Sequence, residues 1–547
     1  VDNNILGHVV RIAAESLGVT PPPCSREGAI WAKEFDREAV LQSSLDGADY
    51  LSLSRKRQLA AFLRKNASLE GLDPEERKLE ALKAFETQQA ANIETSIRLR
   101  SMSVGEEEYF AVTVLGEARD EIYRLLGPGP DLDDLDAFSS ATIFSSGTAL
   151  GLSRTPQGRD VNSYAKLSSD NTFTGSRSCL RVFGKQLIAG PFRDWLHMLF
   201  SQGMLNVQET DYSELSVVPK DALRDRVIAV EPLLNLMAQH GMAAVLGRHL
   251  VRWGITLRDQ TRNKKLAQKA SVLGFDVDGW ATLDLSSASD SITVELVQYL
   301  LPKRWYEYLD AARTRYIKGE DGELKLSSTF STMGNAFTFP LQCLLYAAII
   351  RACIKLHYSR DESSRIEWRV FGDDLIVPIP VSAMVVETLE FAGFRVNQEK
   401  SFVTGFFRES CGGDYLSGNL VTPAYQKGDL RHLTERHRLF NLIQRRDPEH
   451  PVLEYLLTSV PQRDRKIGPD LGPSGLEDIQ FPTFELDESG KAFLRRDQYF
   501  RDVEHGVVTS HFVAPIWALR VQRPWVCKVV WNQDLQAYSF TWSGLFP

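Results

Sequence analysis

Phe371-Gly372-Asp373-Asp374-Leu375 places two adjacent carboxylates at a glycine turn between two β-type runs, residues 366–371 and 375–379. Glycine accepts the backbone conformation a tight turn demands, so the pattern constrains this stretch to a hairpin with acids at its tip. Two acidic side chains offered from one turn make a magnesium site of the kind used to move phosphoryl groups. The tripeptide alone is weak, since ~7% Gly and roughly 6% Asp usage give about 0.1 chance occurrence in a chain this long. Its meaning depends on the surrounding sequence.

A chain of 547 residues exceeds what one core usually organises, so roughly two to four lobes or one multilobed enzyme are expected. No run reaches the ~18 uninterrupted apolar residues of a membrane span. The best candidate, 341–356, is broken by Gln342, Arg351 and Lys355. The N-terminal residues lack a secretory signal pattern, and the expectation is a soluble intracellular protein with no membrane partner. Cys24, Cys179, Cys343, Cys353, Cys411 and Cys527 show no CxxC or Cys/His spacing and read as reduced thiols. A net charge of −8 is awkward for phosphate binding. If RNA or DNA is bound, the cations must be segregated into a channel.

Residues 1–130 read as mostly helical. Asp73-Pro74-Glu75-Glu76 marks one helix start, with Asp as the cap, Pro in the first turn and Glu completing a capping box. Leu79, Leu82, Phe85, Ile93 and Ile97 follow at roughly helical spacing and predict a core-facing helix. Pro21-Pro22-Pro23 and Gly127-Pro128-Gly129-Pro130, with the acidic stretch 131–136, predict surface loops. From about 216 to 423, short β-type runs alternate with helical segments, the texture of an α+β lobe. Residues 430–457 return to helix, 468–482 form a Gly/Pro-rich loop, and 525–542 predict a β-hairpin around Asn532-Gln533-Asp534.

Four other segments carry chemistry. In 280–292 (WATLDLSSASDSI), a buried strand ends near Asp284 before a small-residue turn. Three converging carboxylates would repel and raise one another's pKa unless cations neutralise them, so the acids predict metal. In 327–340, a small polar loop with Gly334 and Asn335 runs into an apolar helix, and such a loop lets backbone, hydroxyls and Asn335 approach a sugar or phosphate. In 224–232, the two-residue strand period puts Arg224 and Arg226 on one face, downstream of Lys220, and fixed cations suit a triphosphate. In 393–413, Lys400 beside polyphosphate could protonate leaving pyrophosphate. Taken singly, each has a bland reading as a cap, a helix-start loop, a solvated edge strand or a surface lysine.

In this order the segments resemble motifs F, A, B, C, D and E of a right-handed, palm-type RNA-dependent RNA polymerase. ATLDLSSASDSI, FSTMGNAFTF, FGDDLIV and KSFVTGFFRESCG are most similar to the replicase subunit of the leviviruses, the small positive-strand RNA bacteriophages. The match is specific over about 216–413. The resemblance implies an α+β fold with a mainly helical fingers region at 1–277, including the motif F strand at 216–232. It places a palm at 278–425 and a thumb with the aromatic hairpin at 426–547. It implies Asp284, Asp373 and Asp374 as metal-binding acids and Lys400 as the general acid. Lys220, Arg224 and Arg226 grip the incoming triphosphate, and Gly334, Asn335 and Thr338 complete the nucleotide site.

Many viral relatives place a ribose-reading Asp five residues after the motif A acid, whereas here that position is Ser289 and Asp290 follows it. Recognition of the 2′-OH stays open between the two. The usual motif B Asn, four after the Thr, is Gln342. The implied reaction is attack of the RNA 3′-OH on the α-phosphate of a templated NTP, with two Mg²⁺ ions ~3.5–4 Å apart, or Mn²⁺ as substitute. The resemblance further implies template and product RNA as partners, primer-independent initiation, and host elongation factors Tu and Ts with a large ribosomal protein, in the bacterial cytoplasm. The aromatic tail (Trp517, Trp525, Trp531, Trp542) could stack on an initiating nucleotide or simply pack. A reverse transcriptase, a metal-dependent nuclease and a silent RNA-binding scaffold are the alternatives. The last two leave Lys220, Arg226, Gly334 and Lys400 in polymerase order unexplained.

Overall fold

The computed structural model describes residues 4–101, 109–142, 148–151, 172–189, 194, 197–198, 201–203, 206–460, 512–513, 527–532 and 537–542. Its centre is the helix Thr338–His357, whose residues from Leu341 to Ala348 are all buried. An apolar surface on every side requires a neighbour on every side. The helices Tyr109–Leu126, Leu233–Leu250 and Ile379–Phe391 supply them and form the main core. By length and composition this helix could cross a membrane, but 78% of that stretch is buried inside the protein.

Against this helix lies a three-stranded antiparallel sheet in the order Trp280–Leu283, Asp374–Pro378, Arg369–Phe371. Leu283 pairs with Leu375 and Ala281 with Val377, so apolar side chains of the two strands meet in the core. A second sheet of four strands runs Asp225–Val230, Tyr212–Pro219, Tyr316–Lys318, Leu324–Leu326. A third joins Phe407–Ser410, Gly413–Leu416 and Asn419–Leu420. Helix and sheet are thus mixed, as the sequence texture predicts.

The first helices, Ile5–Ser16, Arg26–Asp46 and Tyr50–Arg64, share a second core with Leu433–Arg446 and Val452–Ser459. Val9, Phe62, Leu439 and Leu456 are buried there. Arg55 ties the helix Tyr50–Arg64 to the segment after Leu433–Arg446 through Asp447, with Nε to Oδ2 at 2.7 Å. Strands Cys527–Asn532 and Ala537–Trp542 pair antiparallel, which bears out the terminal hairpin. Residues 468–482, Trp517, Trp525 and residues 533–536 lie outside the described residues.

Two readings of the N-terminal region need correction. Asp73 does cap the helix Pro74–Ser101, accepting the Glu75 and Glu76 amides at 2.9 and 3.3 Å. The expected apolar face is only partly borne out: Phe85 is buried and Leu82 packs beside it against Val227 and Ile317 of the four-stranded sheet, whereas Leu79, Ile93 and Ile97 are 65%, 55% and 61% exposed. The buried face is otherwise polar, comprising Gln88, Asn92, Thr95 and Ser96, with Leu99. The first half of the helix thus lies on the apolar side chains of the sheet, and the polar second half is buried against the loops at 290 and 327–329. The acidic stretch after Pro130 is no loop either. Asp131 and Asp134 form a reciprocal capping box that starts the helix Leu132–Ala141.

Candidate active site

Strands Arg369–Phe371 and Asp374–Pro378 are joined by the two-residue turn Gly372-Asp373. Gly372 has φ +61° while Asp373 does not, the signature of a type II′ turn, whose first central position favours glycine. Packing adds a second reason. A Cβ on Gly372 would stand 2.6 Å from the Phe339 ring, and the Gly372 amide donates to Cys343 Sγ at 3.1 Å. The central helix therefore fixes the turn that carries Asp373.

The antiparallel register that pairs Leu283 with Leu375 puts Asp284, one residue on, beside Asp374. Asp284 is held by the turn that follows Arg395–Val396, the strand paired with Leu285–Ser286. Its carbonyl accepts the Asn397 amide at 2.8 Å, its Oδ2 accepts Asn397 Nδ2 at 2.8 Å, and its amide donates to Ser401 Oγ at 3.1 Å. Lys400 Nζ lies 3.7 Å from the other carboxylate oxygen. Asp374 Oδ1 accepts the Cys411 amide at 3.0 Å. Asn397 and Cys411 are site residues to which the sequence reading gave no role. The Asn-x-x-Lys spacing is their only sequence signal.

The electrostatics fit a cation site. Asp373 sits at an exposed turn, yet the protein around it and then the Asp284 charge push its pKa up. Asp374 is pushed up to about 6 by burial and by Asp373 and Asp284, against the Cys411 amide. Burial alone would lower Lys400, but Glu409, Asp284, Asp374 and Asp373 hold it above the ordinary value. Lys220 is lowered, first by burial and then by Arg224, Arg226 and Lys400. Mutual repulsion among hard oxygen ligands is what a divalent cation relieves, so the donor chemistry suits magnesium. Among the described residues, no three acidic, His or Cys side chains close on one point.

The hairpin Tyr212–Pro219/Asp225–Val230 supplies the cations, though not as the strand period predicts. Arg224 precedes the strand and closes its turn, its carbonyl accepting the Lys220 and Asp221 amides. Its guanidinium is paired with Asp221 Oδ2 at 2.7 Å. Arg226 lies on the strand, half-buried, with Nη1 3.7 Å from Met333 Sδ and a buried Nε without a hydrogen-bond partner.

The loop 327–337 docks on that strand. The Ala229 amide donates to the Met333 carbonyl at 2.7 Å. Gly334 has φ +117°, and a Cβ there would fall 2.2 Å from the Ala229 carbonyl oxygen, so no side chain fits. Thr338 Oγ1 donates inward to the Thr332 carbonyl at 2.9 Å, and Asn335 Oδ1 accepts the Phe337 amide at 3.0 Å. Both side chains are buried and brace the loop. Asn335 Nδ2 is buried with no partner.

Ser289 is buried. Asp290 reaches the same loop. Burial pushes its carboxyl up to about 6 against the Met333 amide, and its Oδ1 is buried without a partner. Its carbonyl accepts Asn92 Nδ2 at 2.7 Å and Thr329 Oγ1 at 2.8 Å. Ser328 Oγ donates to Gln89 Oε1 at 2.7 Å. The polar face of the Pro74–Ser101 helix thus holds both loops, a role hidden in the sequence behind the apolar periodicity of its other face.

A family model described as RNA replicase, beta-chain, matches residues 54–452. The RNA-directed RNA polymerase subunit beta of Enterobacteria phage SP is 39% identical over 242 residues, 44% of this chain and 41% of the relative. The RNA-directed RNA polymerase beta chain of Escherichia phage MS2 is 42% identical over 216 residues, 40% of this chain and 38% of the relative. That of Enterobacteria phage GA is 33% identical over 317 residues, 56% of this chain and 55% of the relative. The matches therefore span less than half the length of the first two relatives. A solved structure of the BmCPV RNA-dependent RNA polymerase at elongation state aligns with 64% of this chain and 33% of its own, with 13% identity and a TM-score of 0.38.

Proposed function

The chain belongs to the RNA replicase beta-chain family, and from that premise we propose that it is a template-directed RNA polymerase that replicates a phage genome from NTPs. The observation that carries this reading is the meeting of Asp284 and Asp373 with Lys400 and Lys220, brought from four separate segments. Acids in such numbers beside cations serve phosphoryl transfer better than they serve stability, because each raises the other's pKa.

In this reading Lys220 and Arg226 bind the triphosphate and orient its α-phosphate toward the RNA 3′-OH. Asp284 and Asp373, with Asp374 behind them, would hold Mg²⁺ or Mn²⁺, which when bound lowers the pKa of the attacking hydroxyl and neutralises the departing charge. Asn397 orients the Asp284 carboxylate. Lys400 carries the proton for the leaving pyrophosphate, held protonated by the acids it faces. Asp290 and Arg226 both contact Met333, and their Oδ1 and Nε, like Nδ2 of Asn335 in the same loop, are buried without a partner. A buried polar atom without a partner is costly, and a ribose hydroxyl and a phosphate supply the missing acceptors and donors. Template pairing selects the base, so the protein reads shape and charge.

The reading extends to a palm at 278–425, fingers before it and a thumb after it. It also extends to primer-independent initiation in the host cytoplasm, with elongation factors Tu and Ts and a large ribosomal protein as partners. The decisive experiment is template-dependent incorporation of labelled NTPs with Mg²⁺, comparing wild type with Asp373→Asn. A loss of roughly a thousandfold, ~4 kcal/mol of transition-state stabilisation, with template binding retained is expected. Near-normal elongation by the variant would remove the assignment.

A further inference from the structure

A cleft of about 640 Å³ lined by Arg124, Arg252, Trp253, Arg351, Lys355 and Arg360 lies away from the carboxylates. The central helix sets the separation. At 1.5 Å rise per residue, Arg351 and Lys355 stand ~20–25 Å along its axis from Thr338 at the active-site end.

The cations are arrayed by two acids beneath them. Glu121 is 3% exposed and takes Arg124 Nη1 at 2.5 Å, Arg351 Nε at 2.7 Å and Lys355 Nζ at 2.7 Å. Glu117 takes Arg124 at 3.1 Å and Lys355 at 2.7 Å. Bracing the helix Tyr109–Leu126 against the central helix accounts for these three cations. It does not account for Arg252 and Arg360, which are exposed and leave the cleft with five cations against two carboxylates. Arg252 donates only to the Leu125 carbonyl, and Arg360 has no ion pair among the described residues. Trp253 packs against the main core and stays half-buried at the cleft wall, with the Arg351 guanidinium 5.0 Å over its ring. Trp253 also borders a second, narrow cleft with Arg262, Trp368 and Arg369. Asp259 lines that second cleft as well and Arg369 is paired with Glu367 at 2.8 Å, so cations and indole edges continue from the first cleft with two acids among them, on a chain whose net charge is −8.

We propose that this face is a second RNA-binding surface, which holds a single-stranded stretch of RNA by its phosphates and bases outside the catalytic cleft. Guanidinium forks bind phosphates, indole faces stack on bases, and a continuous track suits a chain of phosphates better than a single nucleotide does. The inference rests on the reading of the chain as an RNA polymerase. Such a surface would retain a long template while its end is copied.

The test compares wild type with Arg252→Gln/Arg360→Gln, which leaves Arg124, Arg351 and Lys355 on Glu117 and Glu121, and uses thermal unfolding to verify the fold. Binding of poly(U) RNA should weaken by roughly tenfold, with a salt slope shallower by ~1.4, about 0.7 for each lost phosphate contact on a single strand. Extension of an oligonucleotide primer–template just long enough to fill the catalytic cleft should be unchanged. Wild-type poly(U) affinity and salt slope in the variant overturn the proposal, as does a loss confined to binding of an acidic protein. If wild type incorporates no NTP while the variant still loses poly(U), the polymerase reading falls and the surface stands. If wild type incorporates NTPs and the variant binds poly(U) normally, the surface alone falls.

Discussion

Asn397 Nδ2 lies 2.8 Å from Asp284 Oδ2, and the Asn397 amide lies 2.8 Å from the Asp284 carbonyl oxygen. One residue thus fixes both the backbone and the carboxylate of the acid at the strand end. Partners that orient a ligand are worth roughly 10- to 100-fold in metal affinity or activity. Asn397→Ala should lower NTP incorporation by about that factor and raise the Mg²⁺ concentration needed for half-maximal rate. A magnesium titration of both proteins measures this, and superimposable curves would leave Asn397 with a merely structural role.

Asp290 carries a buried carboxylate oxygen with no partner, whereas Ser289 beside it is simply buried. A site built to bond a hydroxyl rejects an analogue that lacks it. Asp290→Ala should therefore raise dNTP use relative to NTP by roughly tenfold or more. Competition between ribo- and deoxynucleotides on one template reads the ratio directly. Unchanged selectivity would move the role to Ser289 or elsewhere.

Gly334 combines φ +117° with a carbonyl oxygen where its Cβ would be. Gly334→Ala should cost about 1–3 kcal/mol in backbone strain alone. Because the strain falls on the loop that seats the nucleotide, KM for NTP should rise along with the loss of stability. Denaturant unfolding and steady-state kinetics on the same protein separate the two effects. A variant as stable as wild type would mean that the loop can leave the Ala229 carbonyl.

The acids were legible because a strand–turn–strand pattern needs only local residues to specify it, and Gly372-Asp373-Asp374 and Asp284 fall where that pattern puts them. Arg224 was misplaced because strand period says nothing about where a strand begins. Asp221, three residues upstream, pulls its guanidinium into the turn. The Pro74–Ser101 helix was misread for a different reason. Apolar periodicity marks a core face only where the partner is apolar, which holds for Leu82 and Phe85 against the sheet but not farther along, where Gln89 and Asn92 meet the polar groups of two loops. Asn92, Gln89, Asn397 and Cys411 act across more than 30 residues of sequence, which no local pattern encodes.

His450 is 4% exposed between the helices Leu433–Arg446 and Val452–Ser459, with the Val452 amide 3.4 Å from its Nδ1. Burial lowers its pKa to about 4, against Asp447 and helped by Arg55. Between pH 6.5 and about 4 the unfolded chain takes up a proton here that the folded chain refuses. Stability from this group is full above the unfolded value and is lost as pH falls through that window. The shift is equivalent to on the order of 3 kcal/mol at full extent. His450→Asn keeps an acceptor for the Val452 amide and removes the titration. The variant should lose less stability than wild type between pH 6.5 and 4.5 in denaturant unfolding, with Asp447 still held low in both by Arg55 despite its burial and relieved in the variant only of the smaller His450 charge. The first helices share this core and are tied to Asp447 by Arg55, so acid unfolding here should release them together with the helices Leu433–Arg446 and Val452–Ser459. Parallel pH profiles for the two proteins would assign the acid sensitivity to other groups.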